Sequence, residues 1–136
     1  MRIMGIDFGD ARTGLAVSDE MNILVGDAWT LEQRKPELVA EEIAAQAKKR
    51  CVQRLVLGLP KNMDGSEGPR AEKCREFAQL LSTKTELPIV MWDERRSSSE
   101  AHAILHANGK KEKKHRKTVD AVAASLILEG YLGTLR

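Results

Sequence analysis

Three acidic residues stand far apart in the chain, each beside an apolar segment that does not itself call for an acid: Asp7, Glu94 and Asp120. A carboxylate in such a setting is costly to desolvate unless it binds a cation or a hydrogen-bond donor. Mg²⁺ and Mn²⁺ prefer oxygen ligands, and a carboxylate cluster that holds them is the usual equipment for breaking phosphodiester bonds. We therefore predict that these acids are the catalytic residues and the ligands of Mg²⁺ or Mn²⁺.

Each of these acids also has an ordinary structural interpretation. Asp7 could cap a turn, Glu94 could pair with a neighbouring arginine, and Asp120 could favour a helix N-terminus. A shared site explains all three at once, because strand ends and helix starts can converge in an α/β fold. Asp93 stands beside Glu94, and neighbouring residues of a strand face opposite ways. Only one of these two is therefore predicted to be a direct ligand, unless the strand ends between them.

Several basic or amide side chains are predicted to contact nucleic acid. Arg12 lies in a tight connection, where it could bind a substrate phosphate or remain solvated. The loop 59–68 follows a strand, and α/β folds place ligands at the carboxyl ends of strands. The lysine-rich segment 109–117 immediately precedes Asp120, which favours a mobile arm on the phosphate backbone over a merely solvated charge run. The predicted nucleic-acid-binding residues are Arg12, Lys61, Asn62, Arg70, Arg95, Lys110, Lys111, Lys113, Lys114, Arg116 and Lys117.

The strands that must position the acids are short apolar runs. We predict five of them, at 2–8, 15–18, within 24–31, 54–58 and 89–92. The first two are expected to form an antiparallel hairpin. Three successive strands followed by strand–helix alternation describe a mixed sheet with helices on its faces. The sequence therefore predicts an α/β fold in one domain over residues 1–136.

Helix signals lie between and after these strands. Pro36 and Pro69 each open a helix, and Ser97 with Glu100 offers a capping box for another. His102 and His106 are one turn apart on that third helix, but without a third ligand nearby we interpret them as surface residues. The predicted helices span about 36–50, 69–81, 97–107, and a last one from Thr118 or Val119 to about 130.

Composition narrows the functional classes. The 136 residues are 42% hydrophobic and 31% charged, as in a soluble globular protein. Aromatic residues make up only 4%, which argues against recognition through a series of base-stacking platforms. Cys51 and Cys74 have no ligand-like spacing and are expected to be reduced thiols. Neither a signal-peptide segment nor a run of about 18 apolar residues occurs, so a cytoplasmic protein without membrane partners is expected.

Four sequence blocks, in order over nearly the whole chain, resemble those of the YqgF (RuvX) family. They are MGIDFGDARTGLAVSD at 4–19, LGLPKNMDGSEGPRA at 57–71, WDERRSSSEA at 92–101 and DAVAASLIL at 120–128. One departure lies in the third block, where Arg96 and Ser97 replace the more usual Leu or Phe and Thr. Ser97 keeps a hydroxyl group, so the helix cap is expected to survive.

The resemblance implies a ribonuclease H-like fold, with a mixed five-stranded sheet flanked by helices, and a metal-dependent nuclease. It matches Asp7 to the acid of the first strand, Glu94 to that of the third block and Asp120 to that of the last helix. The family is described as a proposed Holliday junction resolvase and, in bacteria, as the nuclease that matures the 5′ end of pre-16S rRNA. The implied partner is an rRNA precursor or branched DNA, with ribosomal particles as a further candidate.

The leading hypothesis is an endonuclease that processes pre-16S rRNA in ribosome biogenesis. Holliday junction resolution is the nearest alternative, and it requires two active sites in a two-fold dimer; monomer and homodimer both stay open. The hairpin at 7–14 also resembles the phosphate loop of actin-like ATPases and sugar kinases, but those enzymes pair two such domains. A non-catalytic RNA-binding ribosome-assembly factor is the third class, and retention of all three acids argues against it.

Overall fold

The computed structural model describes residues 1–96 and 112–135, and in that part of the chain there are five strands and three α-helices. A short 3₁₀ helix, Glu94–Arg96, follows the last strand. The strands and helices are β1 Arg2–Asp7, β2 Arg12–Ser18, β3 Val25–Glu32, α1 Pro36–Lys49, β4 Val52–Leu59, α2 Pro69–Ser82, β5 Ile89–Asp93 and α3 Glu112–Gly133.

The strands form one mixed sheet in the order β3-β2-β1-β4-β5. β1, β2 and β3 pair antiparallel as a meander, whereas β4 pairs parallel with both β1 and β5. α2 connects the parallel neighbours β4 and β5, whereas α1 leads from β3, at one edge of the sheet, to β4, beside β1. The predicted mixed five-stranded sheet flanked by helices, and the antiparallel hairpin within it, are confirmed. Because β1, β4 and β5 run the same way, their carboxyl ends meet at one edge of the sheet.

Successive side chains of β1 point to opposite faces of the sheet, and each face is covered by its own apolar layer. Met4 and Ile6 face α1 and α2, together with Phe8 just beyond the strand. Ile3 packs instead with the residues of α3, such as Leu128. Each fully buried aliphatic side chain of this kind contributes about 1.5–3 kcal/mol of transfer free energy. Asp7 has the same parity as Ile3, so its side chain belongs to the α3 face of the sheet.

α3 lies directly on the backbone of β1 and β2. A β-carbon at Gly5 would come within 2.8 Å of the Ala124 carbonyl oxygen, and one at Gly14 would collide with the Asp120 carbonyl group. Two strand positions without side chains therefore let the helix approach closely. This approach fixes how far Asp120 stands from the sheet.

One element boundary was predicted wrongly. The sequence placed the start of the last helix at Thr118 or Val119 and treated 109–117 as an arm, whereas α3 begins at Glu112. The backbone of Lys113, Lys114, Arg116 and Lys117 therefore belongs to the first turns of the helix. Lysine, arginine and glutamate are good helix formers, and no proline or glycine interrupts 112–118.

Some predictions lie outside the described residues. They concern the helix at 97–107 with its capping box, His102 and His106, and Lys110 and Lys111. Within residues 1–96 and 112–135, no helix has both the length and the apolar character that crossing a bilayer requires.

Candidate active site

The structure brings the three predicted acids to one edge of the sheet. Asp7 is the last residue of β1, and Glu94 is the first residue after β5. The carboxyl groups of Asp7 and Glu94 are close enough to share a hydrogen bond. Asp120 lies in the third turn of α3, against Gly14, which pairs with Asp7 in the β1–β2 register. The ends of β1 and β5 and the third turn of α3 thus lie on the same side of the molecule, and a common site for the three acids stays a prediction.

Glu94 reaches this edge because Gly58, in the adjacent strand β4, has no side chain. A β-carbon at Gly58 in β4 would lie 2.8 Å from Cδ of Glu94 and 2.6 Å from Cδ1 of Ile127. Sequence reasoning missed this role, although a glycine inside an otherwise apolar strand is a general signal of close approach. The absent side chain leaves the volume that the Glu94 carboxyl group occupies.

The strand ends between Asp93 and Glu94, so strand alternation does not set the directions of these two acids, but their contacts differ. Both oxygens of Asp93 accept hydrogen bonds from Arg95, with Nη2 to Oδ2 at 2.6 Å and Nε to Oδ1 at 3.1 Å. This contact with Arg95 lowers the pKa of Asp93. Asp93 therefore holds the arginine, and Glu94 is the acid of this pair that lies with Asp7.

Burial and mutual repulsion shape the protonation of the acids. Desolvation raises the pKa of Glu94, opposed by the hydrogen bond with Asp7 and by the charge of Arg70. Desolvation is also the largest cause that raises the pKa of Asp120 to about 6, and the negative charge of Asp7 adds to it. Carboxyl groups gathered in this way carry a cost of ionisation that a bound cation would relieve.

Arg70 and Arg12 place positive charge beside the acids. Arg70 donates a hydrogen bond of 2.7 Å from Nη2 to the Phe8 carbonyl oxygen, and its charge lowers the pKa of both Glu94 and Asp120. Arg12 also lowers the pKa of Asp120. Its Nε lies 3.9 Å from Oε1 of Glu32. Two of the predicted nucleic-acid-binding residues therefore contribute positive charge near the acids, and their contact with a phosphate stays a prediction.

Asp10 is a site residue that the sequence did not single out. Its Oδ1 is 3.5 Å from Nη1 of Arg70 and 3.4 Å from Nζ of Lys73. Both cations come from the first turns of α2, which begins at Pro69. Asp10 thus ties the start of α2 to the end of β1, and nothing in a single sequence pairs these distant residues.

The loop after β4 is ordered by its own hydrogen bonds. Asn62 Nδ2 donates to Ser66 Oγ at 3.0 Å, and the backbone N–H of Asn62 donates to the Ser66 carbonyl oxygen at 2.9 Å. Arg95 Nη1 lies 3.4 Å from the Met63 carbonyl oxygen, which joins the loop to the end of β5. Lys61 acts on this region through its charge, which lowers the pKa of Asp93. Nucleic-acid contact by Lys61, Asn62 and Arg95 stays a prediction.

The acids suit a hard cation in chemistry, although they do not form a closed cage. Among the described residues, no three histidine, cysteine, aspartate or glutamate side chains are gathered tightly enough to form a ready metal site. Oxygen-only donors are those that Mg²⁺ and Mn²⁺ prefer, and these ions commonly keep several waters. The raised pKa values of Glu94 and Asp120 show that ionising these carboxyl groups is costly, and a bound cation would lower that cost. The residues present therefore fit a divalent cation.

Solved structures share this architecture. Thermus thermophilus RuvC in complex with a Holliday junction substrate aligns with a TM-score of 0.61, at 14% identity over 98% of this chain and 97% of that one. Fowlpox virus resolvase in complex with Holliday junction DNA aligns with a TM-score of 0.59, at 12% identity over 99% of both chains. At these identities the likeness shows the fold, which is ribonuclease H-like.

The family is shown by sequence. The profile of the RuvX family, described as Holliday junction resolvase, matches residues 1–134, and the chain belongs to this family. Two relatives are named as proposed pre-16S rRNA nucleases. The one from Halothermothrix orenii is 43% identical over 97% of this chain and 94% of the relative. The one from Desulfitobacterium hafniense is 41% identical over 100% of this chain and 94% of the relative. The protein is accordingly a nuclease, a hydrolase of phosphodiester bonds.

Proposed function

We propose that the protein is a divalent-metal-dependent endonuclease that processes the 5′ end of pre-16S rRNA in the cytoplasm. The observation that carries this proposal is the convergence of Asp7, Glu94 and Asp120 at one edge of the sheet. The RNA substrate is supported by relatives of about 40% identity whose names propose that activity. Ribosomal particles that carry the precursor are the expected partner.

The roles of the residues follow from their charges and positions. Asp7, Glu94 and Asp120 would hold Mg²⁺ or Mn²⁺, and such an ion, when bound, supplies Lewis-acid stabilisation of the phosphate and favours ionisation of water. Arg70 and Arg12 would neutralise and orient the substrate phosphate. Asp93 keeps Arg95 and the loop after β4 in place. Hydrolysis adds water to phosphorus and releases the 3′-hydroxyl group of the preceding nucleotide.

Holliday junction resolution is the second candidate, because the family carries that description. The same acids would serve it, since both reactions hydrolyse a phosphodiester bond. A junction, however, requires paired cuts by two opposed sites, so this function demands a two-fold dimer. A stable monomer in solution would count against it.

The first test compares cleavage of a 5′-extended 16S rRNA precursor and of a four-way DNA junction. Wild type, Asp7→Asn and the matched control Asp27→Asn are each assayed with Mg²⁺, Mn²⁺ and EDTA. Asp27 is an exposed aspartate of β3. We expect precursor cleavage that needs metal and Asp7 and survives Asp27→Asn, with a loss of about 100-fold or more in Asp7→Asn.

Other outcomes of this test point elsewhere. Metal-dependent cutting of the junction alone would replace the rRNA proposal with the resolvase. An Asp7→Asn protein that still restores rRNA maturation in a deletion strain would refute the nuclease role in that process and favour a non-catalytic assembly factor.

A further inference from the structure

The loop after β4 carries the most exposed large apolar side chain among the described residues. Met63 is 90% exposed. A single exposed apolar residue is ordinary on a protein surface, so its meaning depends on how the chain holds it and on what lies beside it. None of the roles assigned above uses this side chain.

A tight turn places Met63 at the outer corner of the loop. The N–H of Gly65 donates to the carbonyl oxygen of Asn62 at 2.9 Å, which closes a four-residue turn with Met63 as its second residue. Gly65 has a φ of +90°, a left-handed backbone that glycine adopts without strain. The N–H of Asn62 donates to the carbonyl oxygen of Ser66 at 2.9 Å and closes the base of the turn. The exposure of Met63 therefore belongs to an ordered turn.

The polar side chains of this turn are occupied by one another. Asp64 Oδ1 accepts hydrogen bonds from the backbone N–H of Ser66 at 2.8 Å and from its Oγ at 2.6 Å. Asn62 Nδ2 donates to the same hydroxyl group at 3.0 Å. These three residues shape the loop, and Met63 is the side chain that the loop presents to solvent.

The turn lies at the same edge of the sheet as the candidate active site. It follows β4, and Glu94 follows β5, which is the parallel neighbour of β4. Arg95, the residue after Glu94, brings its Nη1 within 3.4 Å of the Met63 carbonyl oxygen. A nucleic-acid strand held at the acids would therefore lie beside Met63.

The chemistry of the loop favours contact with a base over contact with a phosphate. The cations Lys61 and Arg95 lie here among acids, which are Asp64, Glu67 and Asp93. Charge therefore does not single out the loop as a phosphate site. The thioether of methionine is apolar and polarizable and packs favourably against aromatic rings. Methionine is also among the side chains that proteins insert between stacked bases.

We propose that Met63 packs against one base of the substrate strand, next to the cleaved phosphodiester bond, and separates that base from its neighbour in the stack. This inference rests on the proposed nuclease function and adds a specificity-determining residue to it. Because unstacking costs least in an unpaired strand, the contact favours unpaired segments of a precursor over continuous duplex. It also needs no aromatic side chain, in keeping with the low aromatic content.

A fluorescent base tests this contact without cleavage. In RNA oligonucleotides that span the 5′ end of 16S rRNA, 2-aminopurine, whose fluorescence rises when it leaves the stack, replaces one base at a time. With wild type in EDTA we expect the fluorescence to rise at one position near the cleavage point. With Met63→Ala this rise should be lost and binding should weaken by about three- to fivefold, while Met63→Leu should restore both.

The matched control is Met21→Ala, which removes another exposed methionine from the turn between β2 and β3. It should behave as wild type. Met63→Ala should also leave the slope of log affinity against log salt unchanged, because the lost contact involves no phosphate. A wild-type response from Met63→Ala, an equal loss in Met21→Ala, or a reduced salt slope in Met63→Ala would each overturn the proposal.

Failure of this contact and failure of the nuclease function are distinguishable. Metal-dependent cleavage of the precursor, with no 2-aminopurine position that responds to Met63, would reject the contact and leave the nuclease intact. A response that depends on Met63 in a protein that cleaves no RNA would reject the proposed function and support base recognition by the loop.

Discussion

At the scale of single residues, the placement of the Glu94 side chain depends on Gly58, a residue with no side chain of its own. The Glu94 carboxyl group occupies space beside Gly58, while Ile127 of α3 closes the same space from the other side. Any side chain at position 58 must displace both of them. The glycine thereby couples the packing of α3 to the placement of a candidate metal ligand.

Gly58→Ala tests this coupling. The added methyl group would lie 2.8 Å from Cδ of Glu94 and 2.6 Å from Cδ1 of Ile127, so both side chains must move. We expect cleavage to fall by about 10-fold or more and stability by about 1–3 kcal/mol, measured by precursor cleavage and urea unfolding. Gly26→Ala is the matched control, because its nearest neighbour would be an ordinary 3.5 Å away. Full activity in Gly58→Ala would show that the space is not needed.

Asp120 makes stability depend on pH. Its pKa in the folded protein is about 6, above the ordinary value of 3.8, so the folded state holds this proton more tightly than the unfolded state. Stability from this group is therefore greatest below a pH of about 4 and is lost as the pH rises to about 6. At neutral pH, without metal, the ionised Asp120 destabilises the fold.

Asp120→Asn should accordingly be more stable than wild type at pH 7 in EDTA while losing cleavage. We expect a gain of roughly 1 kcal/mol in unfolding free energy, allowing for partial solvent screening, that shrinks toward zero near pH 4. Urea unfolding between pH 4 and 7.5 measures it, with Asp27→Asn as the control. Added Mg²⁺ should stabilise wild type and leave Asp120→Asn nearly unchanged, because metal binding favours the folded state. A gain that persists unchanged at pH 4 would contradict this account.

At the scale of elements, α3 begins with a basic segment that its dipole does not favour. Lysine and arginine in the first turns of a helix oppose the positive end of the dipole, typically by about 0.3–1 kcal/mol each. Lys113, Lys114, Arg116 and Lys117 lie there nonetheless, two turns or less before Asp120. An electrostatic cost next to the candidate active site is consistent with phosphate binding by this end of the helix.

The double variant Lys113→Gln/Lys114→Gln tests that role. Glutamine is a good helix former, so the helix should persist while two charges are lost. We expect weaker RNA binding and a salt slope reduced by about 1.4, measured by anisotropy from 50 to 300 mM salt. Lys48→Gln/Lys49→Gln, at the last turn of α1, removes the same charge and should change the slope little. Equal effects of the two double variants would show that only net charge matters and would contradict phosphate binding by this end of α3.

The same helix shows why part of the fold could be predicted and part could not. The strands and the helices that begin at a proline could be predicted, because apolar runs and prolines are signals within a few neighbouring residues. The start of α3 was not, since residues 112–118 carry no apolar periodicity and their helical state rests on propensity alone. The places of Asp7 and Glu94 at strand ends could be predicted, whereas the place of Asp120 beside Gly14 depends on how closely α3 approaches the sheet. The contacts of Gly58 with Glu94 and of Asp10 with Arg70 join distant residues, and no local pattern encodes them.

At the scale of the whole molecule, the net charge of +2 includes a local concentration of acids. The half-buried acids lie at the carboxyl edge of the sheet, Arg12 and Arg70 add positive charge near them, and Arg70 and Lys73 also pair with the exposed Asp10. The arginines favour the approach of a polyanion, and the acids between them favour the binding of a cation. The mixed topology is what makes this possible, because it aligns the ends of β1, β4 and β5.

Asp7 and Phe8 are consecutive, yet they serve opposite faces of the sheet, one toward α3 and the other toward α2. One step of the chain therefore joins the candidate active site to the core beneath α1 and α2. A substitution that changes the packing of Phe8 would shift the end of β1, and the Asp7 carboxyl group would shift with it, although the two side chains never share a face of the sheet.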